Sequence, residues 1–252
     1  RSFNGRTFTA SSFIKGKKIE IPIYDHGSTI TGRAVIKKGY NFLTKRKEKR
    51  KDISSRYQLG EIYEIDIKSL EPRILMHLNG HDYVEDIYNH FKNILNLNAE
   101  RKKIKLAVIS IMYGSSVRNA ESLTGISSCD LKKIYSYLRI DEWNKKLKKQ
   151  REDLGYIINP YGKKIYKDGP LVNYYFQSAG ADCSCLAFND LVKKYKDDKL
   201  SLIASIHDAI IVDIEISQSS SVHEKLNNEK HIYCSILDIK LPVKVKRISD
   251  EK

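Results

Sequence analysis

The sequence predicts an α+β fold, an antiparallel sheet whose strands are separated along the chain by an inserted lobe of helices. Three observations carry this. Residues 61–67, EIYEIDI, alternate polar and apolar side chains with the period of two of a half-buried strand, and that strand ends at Asp66. From Ser69 the pattern turns helical and stays so to about residue 153. Residues 200–216, LSLIASIHDAIIVDIEI, then read as two apolar strands with His207 and Asp208 at the turn between them.

The remaining elements follow in order. Residues 1–30 read as short strands with turns at Gly5, Gly16 and Gly27. Thr31-Gly32-Arg33 opens a segment that runs into KKGYNFLTKRKEKRKDI, which shows no clear periodicity and reads as a surface loop. A helix over AERKKIKLAVISIMYG starts near Asn98 or Ala99 and stops at Gly114. Residues 115–153 continue as basic helices, GYIINPYGKKIYKD reads as a hairpin turning at Pro160 to Gly162, and residues 171–196 form a long helix. No internal repeat or low-complexity segment appears. The lobes are therefore expected at 1–95 (with a basic loop at 37–51), 96–153 and 154–252.

Length and composition narrow the functional classes. A chain of 252 residues with 41% hydrophobic and 30% charged residues can bury a real core. The longest apolar runs, such as Leu106 to Met112, fall far short of the roughly 20 residues that span a bilayer. The opening RSFNGRTFTA is polar and basic and unlike a secretory signal, so a cytoplasmic location is expected. Cys129, Cys183, Cys185 and Cys234 form no CxxC pair and no zinc-ligand spacing, which suits free thiols in a reducing compartment. The net charge of +14 points to a polyanionic partner. An AT-rich coding sequence, which favours Lys codons, is the plainer account, but clustering supports the partner: Lys37 to Lys51 carries eight basic residues against one Glu.

Asp66 and Asp208 are the candidate chemistry. A strand-end Asp most often caps a turn, yet two such carboxylates side by side repel unless divalent cations lie between them. A two-metal site for in-line phosphoryl displacement is built in this way. Between them in sequence, Arg101, Lys105, Ile109 and Tyr113 recur every four residues. On a helix such steps drift by about 40° and rise about 6 Å, giving one slanting stripe, cationic at its start and aromatic at its end. Alone this is an ordinary amphipathic helix; beside two aspartates it suits a triphosphate with its base near the tyrosine.

The ordered set resembles the family A DNA polymerases, the bacterial polymerase I type and its phage relatives. DIKSLEPR (66–73) resembles motif A, RKKIKLAVISIMYG (101–114) motif B, and IHDAII (206–211) motif C. Thr31-Gly32-Arg33 resembles the TGR that precedes motif A, and Asn173 with Gln177 the N-x3-Q that precedes motif C. The resemblance runs from about residue 28 to 214. It implies a polymerase palm carrying an inserted fingers subdomain at 96–153, and a nucleotidyltransferase adding dNTPs to a primer 3′-hydroxyl on template DNA. Asp66, Asp208 and the Ile67 carbonyl would bind two Mg²⁺ ions, and Arg101 and Lys105 would hold the triphosphate, with Lys105 among the catalytic residues. Glu71 would be the steric gate against ribonucleotides, and Ile109 and Tyr113 would line the nucleotide pocket. Arg33, Asn41, Asn173, Gln177 and His207 would contact primer-template DNA, although His207 is equally well read as a turn histidine.

Three positions depart from the family pattern. Ile109 stands where Phe or Tyr is usual, Ala209 where a Glu commonly follows the motif C aspartate, and Gly169 where an Arg is often found. The helical thumb and the exonuclease domain are expected on a separate chain or upstream of the first residue. A non-catalytic DNA-binding subunit and a single-subunit RNA polymerase-like enzyme are the alternatives. Retention of Asp66, Asp208, Lys105 and Arg101 together weighs against the first, and Glu71 against the second.

Overall fold

The computed structural model describes residues 12–14, 17–20, 22–25, 27–44, 50, 52–195, 200–215, 224–225 and 228–248. The turns expected at Gly5 and Gly16 lie outside these residues. Two compact units emerge, one from residues 1–68 and 183–252, the other from 69–182. Along the chain the strands β1 (Ser12–Ile14), β2 (Lys17–Ile19), β3 (Ile23–Asp25), β4 (Val35–Lys38), β5 (Ile53–Ser54) and β6 (Gly60–Ile67) come first. Helices α1 (Leu70–Leu78), α2 (Ile87–Ile94), α3 (Arg101–Met112), α4 (Val117–Thr124), α5 (Ser128–Tyr137) and α6 (Ile140–Leu154) follow. The short hairpin β7 (Ile157–Ile158) and β8 (Lys164–Ile165) leads to α7 (Leu171–Lys194), which passes from the second unit into the first. Strands β9 (Leu200–Ile206), β10 (Ala209–Glu215), β11 (His231–Cys234) and β12 (Ile239–Arg247) close the chain. No described helix is long and apolar enough to cross a membrane.

The first unit is organised by a five-stranded sheet in the order β11-β12-β6-β10-β9, with every pairing antiparallel. β6 lies at its centre. Ile62, Ile65 and Ile67 are buried there, and so is Glu64. The alternation in EIYEIDI suggests one wet face, but Arg50 covers Glu64, its Nη1 donating to Oε2 at 2.7 Å with both side chains under 9% exposed. Burial of that pair also corrects the reading of the basic segment as a surface loop throughout. Within it, Phe42 is 1% exposed and packs with Ile53, Ile62, Ile203, Ile206, Ile211 and Ile248. A period-two or period-3.6 test misses such a segment because one aromatic and one arginine anchor it. Asp213 on β10 is likewise buried and accepts from Ser55 Oγ at 2.6 Å and the Arg56 N–H at 3.0 Å.

The second unit is helical, with residues 96–153 joined by α1, α2, the β7–β8 hairpin and the first part of α7. Ile104, Ala107, Val108, Ile111 and Met112 form the buried face of α3. Short polar residues start the helices by accepting otherwise unsatisfied N–H groups: Asp86 for α2, Ser116 for α4 and Ser127 for α5. Asn79, just past α1, accepts from Trp143 Nε1 at 2.8 Å and donates to the Leu138 carbonyl at 3.1 Å. The hairpin turn is held by Asn159 Oδ1, which accepts from the N–H groups of Tyr161 and Lys163.

Candidate active site

In the sheet unit, register brings Asp66 and Asp208 to one end of two neighbouring strands. Ala209 lies opposite Asp66 in the β10–β6 ladder, and the Ile67 N–H donates to the Asp208 carbonyl at 2.9 Å. A two-residue turn, His207-Asp208, joins Ile206 to Ala209. Tight hairpin turns need backbone with positive φ, and His207 adopts it at 54°. A non-glycine residue held there carries strain, of a kind that concentrates at functional sites. Ser184 Oγ on α7 donates to the His207 carbonyl at 3.4 Å. Desolvation pulls the His207 imidazole below its usual pKa and nearby Arg33 acts in the same direction, while Asp208 opposes them. These effects favour the uncharged imidazole, which stays in contact with solvent.

Around this edge, Gly32 turns with φ at 72° and Thr31 is buried, so the Thr31-Gly32-Arg33 turn is set by backbone geometry as well as by side chains. Thr29 Oγ1 donates to the Arg33 carbonyl at 2.8 Å. Asn41 spends its side-chain oxygen locally, accepting from the Leu43 N–H at 3.0 Å. Tyr24, which the sequence did not single out, locks β3 to β9: its hydroxyl donates to the Ser205 carbonyl and accepts from the Ser205 N–H, and burial raises its pKa to about 12. β12 adds Lys244 directly opposite Asp66. The alternation in IKLPVKVKR, residues 239–247, carried that strand signal.

In the helical unit, the α3 stripe is real. Arg101, Lys105 and Tyr113 are exposed and Ile109 is half-buried, opposite the apolar face. Tyr113 Oη donates to Glu71 Oε2 at 3.1 Å, joining the end of α3 to the start of α1. Gly180 on α7 lets α1 approach, since a Cβ there would meet Glu71 Cγ at 3.4 Å. Arg73 is buried and donates to the carbonyls of Val84 and Glu85 at 2.6 and 2.7 Å, which makes it a clamp on that loop. Asp86 and Tyr88, both missed in the sequence, surround the cations. Asp86 Oδ2 accepts from Arg101 Nε at 2.7 Å, and the Tyr88 ring lies 5.2 Å from the Arg101 guanidinium carbon and 6.0 Å from Lys105 Nζ. Asn173 and Gln177 share a half-buried face of α7, and Asn173 Oδ1 is buried without a hydrogen-bond partner. Gly169 has φ at 146°, and a Cβ there would lie 2.8 Å from Tyr174 Oη, so a side chain where an arginine is often found would strain the backbone and push Tyr174 aside.

The described structure thus combines a five-stranded antiparallel sheet, with Asp66 and Asp208 at one end of adjacent strands, and a helical unit inserted between them in sequence. The chain matches the POL domain of Pol1 from M. smegmatis, solved in complex with DNA primer-template and dNTP, at a TM-score of 0.68. That match covers 90% of this chain and 47% of that one at 16% identity, and is a likeness of fold. In sequence the chain is similar to the DNA polymerase of Mycobacterium phage L5, 25% identical over 169 residues, or 62% of this chain and 28% of that protein. It is also similar to the DNA polymerase of Mycobacterium phage D29, 28% identical over 130 residues, or 48% of this chain and 21% of that protein. The chain thus matches less than a third of the length of these phage relatives. No protein-family model matches it.

Proposed function

We propose that this chain is the catalytic core of a template-directed DNA polymerase that adds dNTPs to a primer 3′-hydroxyl and releases pyrophosphate. One observation carries the reading. Residues far apart in sequence, Asp66 and Asp208, meet at one end of the β6–β10 pair, where the Ile67 N–H bonds to the Asp208 carbonyl. The polymerase-domain fold, the phage relatives and the motif resemblance support it. In this reading residues 1–95 and 154–252 are the palm and 96–153 the fingers, with the palm segments 69–95 and 154–182 clustering in the helical unit.

Among the described residues no three His, Cys, Asp or Glu side chains are grouped to hold a metal ion by protein alone. Two carboxylates and the Ile67 carbonyl fit Mg²⁺, which keeps positions for water and substrate phosphate oxygens. Such ions, when bound, would activate the attacking hydroxyl and stabilise the leaving oxygen. Asp66 and Asp208 hold them, and Lys244 across the ladder from Asp66 offsets carboxylate charge. Arg101 and Lys105 hold the triphosphate and stabilise charge developing on the leaving pyrophosphate. Glu71, held by the Tyr113 hydroxyl, fills the space of a ribose 2′-hydroxyl. Ile109 and Tyr113 bound the nucleotide pocket. Arg33, Asn41, Asn173 and Gln177 contact primer-template near its growing end, where side-chain N–H donors suit the minor-groove acceptors of every correct pair. His207, held at the turn, supports the primer terminus.

The test is primer extension with dNTPs or rNTPs, with and without Mg²⁺. Metal-dependent extension by wild type is expected, with strong preference for dNTPs that weakens in Glu71→Ala. Absence of extension under all conditions sinks the catalytic reading in favour of a DNA-binding subunit. Preference for rNTPs would instead indicate an RNA polymerase.

A further inference from the structure

We propose that Asp86 is a positioning residue for the triphosphate-binding face of α3: its carboxylate holds the Arg101 guanidinium by Nε and leaves both terminal amino groups for phosphate. This rests on the reading of α3 as a triphosphate-binding helix.

Asp86 is itself firmly placed. Its Oδ1 accepts from the N–H groups of Tyr88 and Asn89 at 3.1 and 3.2 Å, starting α2. Its Oδ2 accepts from Asn89 Nδ2 at 3.1 Å and Arg101 Nε at 2.7 Å. The two residues before it are pinned through their carbonyls of Val84 and Glu85 by buried Arg73. A line of contacts therefore runs from α1, through the 84–85 loop, to the first residue of α3. Burial alone would raise the Asp86 pKa, but Arg101 and the two N–H groups outweigh it and hold the carboxyl below its ordinary value.

The side-on geometry is what makes the pair a holder rather than a competitor. Arginine can also meet a carboxylate end-on, through both terminal amino groups, and its end-on face is then taken. Here only Nε is engaged, and no described residue accepts from either terminal amino group of Arg101. The Tyr88 ring lies 5.2 Å from the Arg101 guanidinium carbon and also near Lys105 Nζ, a cation–π contact that supports the pair. Lys105, by contrast, has no carboxylate within 4.0 Å among the described residues, in keeping with a point charge that needs no orientation. Stability is a poor reason for the Asp86–Arg101 pair. With side chains 33% and 47% exposed, it adds little to folding stability.

A double-mutant cycle tests the idea on the full chain, using Asp86→Asn, Arg101→Ala and the double variant. Asparagine keeps the helix cap and removes the charge, and Asp86→Ser is a second cap-preserving variant. The readouts are dNTP KM in primer extension, tripolyphosphate affinity by calorimetry, and Tm. Asp86→Asn is expected to raise KM and weaken tripolyphosphate binding by roughly 3–10-fold with kcat and Tm little changed, and to have no further effect in Arg101→Ala. An Asp86→Asn effect that persists undiminished without Arg101, or no effect while Arg101→Ala is impaired, overturns this proposal alone. If Arg101→Ala changes neither KM nor tripolyphosphate affinity, the triphosphate reading of α3 falls and takes this proposal with it.

Discussion

The two units handle charge in opposite ways. In the sheet unit, ionisable groups sit within the structure and are matched to partners: Glu64 under Arg50, and Asp213 against Ser55 and the Arg56 N–H. Even the exposed end of the sheet is ordered by ladder register, which places Asp66 between Ala209 and Lys244. In the helical unit the cations of α3 stand in solvent, with one carboxylate and one aromatic ring to aim them. A rigid sheet suits groups that must hold a fixed separation. An exposed helix face would suit the proposed role of receiving and releasing a triphosphate.

That contrast can be broken or sharpened by substitution. The largest effect is expected at the sheet edge. Asp66→Ala or Asp208→Ala should lower the extension rate by roughly 10³-fold or more with little change in Tm, since on the proposed reading each would remove a metal ligand rather than core packing. Extension that survives either change would detach the chemistry from the sheet.

Next comes the buried pair. Glu64→Ala leaves Arg50 charged and uncompensated in the core, and should cost about 3–5 kcal/mol in denaturant unfolding. A loss below about 1 kcal/mol would show that Arg50 reaches water and that the units treat charge more alike.

A smaller effect is expected on α3. Lys105→Ala should raise dNTP KM by roughly 10–100-fold, the worth of about one charge-assisted contact, while urea unfolding stays unchanged. The smallest lies at the turn. His207→Gly should stabilise the protein by about 1 kcal/mol by relieving its left-handed backbone, yet reduce primer extension. Gain of stability without loss of extension would make His207 a turn residue only.

Much of this was legible before any coordinates. The strand ending at Asp66, the α3 stripe, the 155–168 hairpin, the long α7 and the His207-Asp208 turn all follow from periodicity and breakers, which act over a few residues. α3 begins at Arg101, slightly later than expected, because Glu100 takes an extended backbone ahead of it. The segment 37–51 was read as loop because nothing in its pattern reveals that Phe42 and Arg50 are core. Lys244 escaped because a single strand does not name its partner, although its alternation was visible.

The sequence by itself therefore determined the strand at 61–67, the helices from Ser69 to about residue 153, the long α7 and the β9–β10 pair, where the candidate carboxylates and cations fall, and the excess of positive charge, but not β11 and β12. Only the tertiary structure decided that β12 and β10 flank β6, that Arg50 covers Glu64, that Tyr113 reaches Glu71, and that Asp86 holds Arg101. The physical reason is range. Backbone propensity and periodicity are settled by neighbours in sequence, whereas pairing register and ion-pair choice depend on residues brought together only when the core closes.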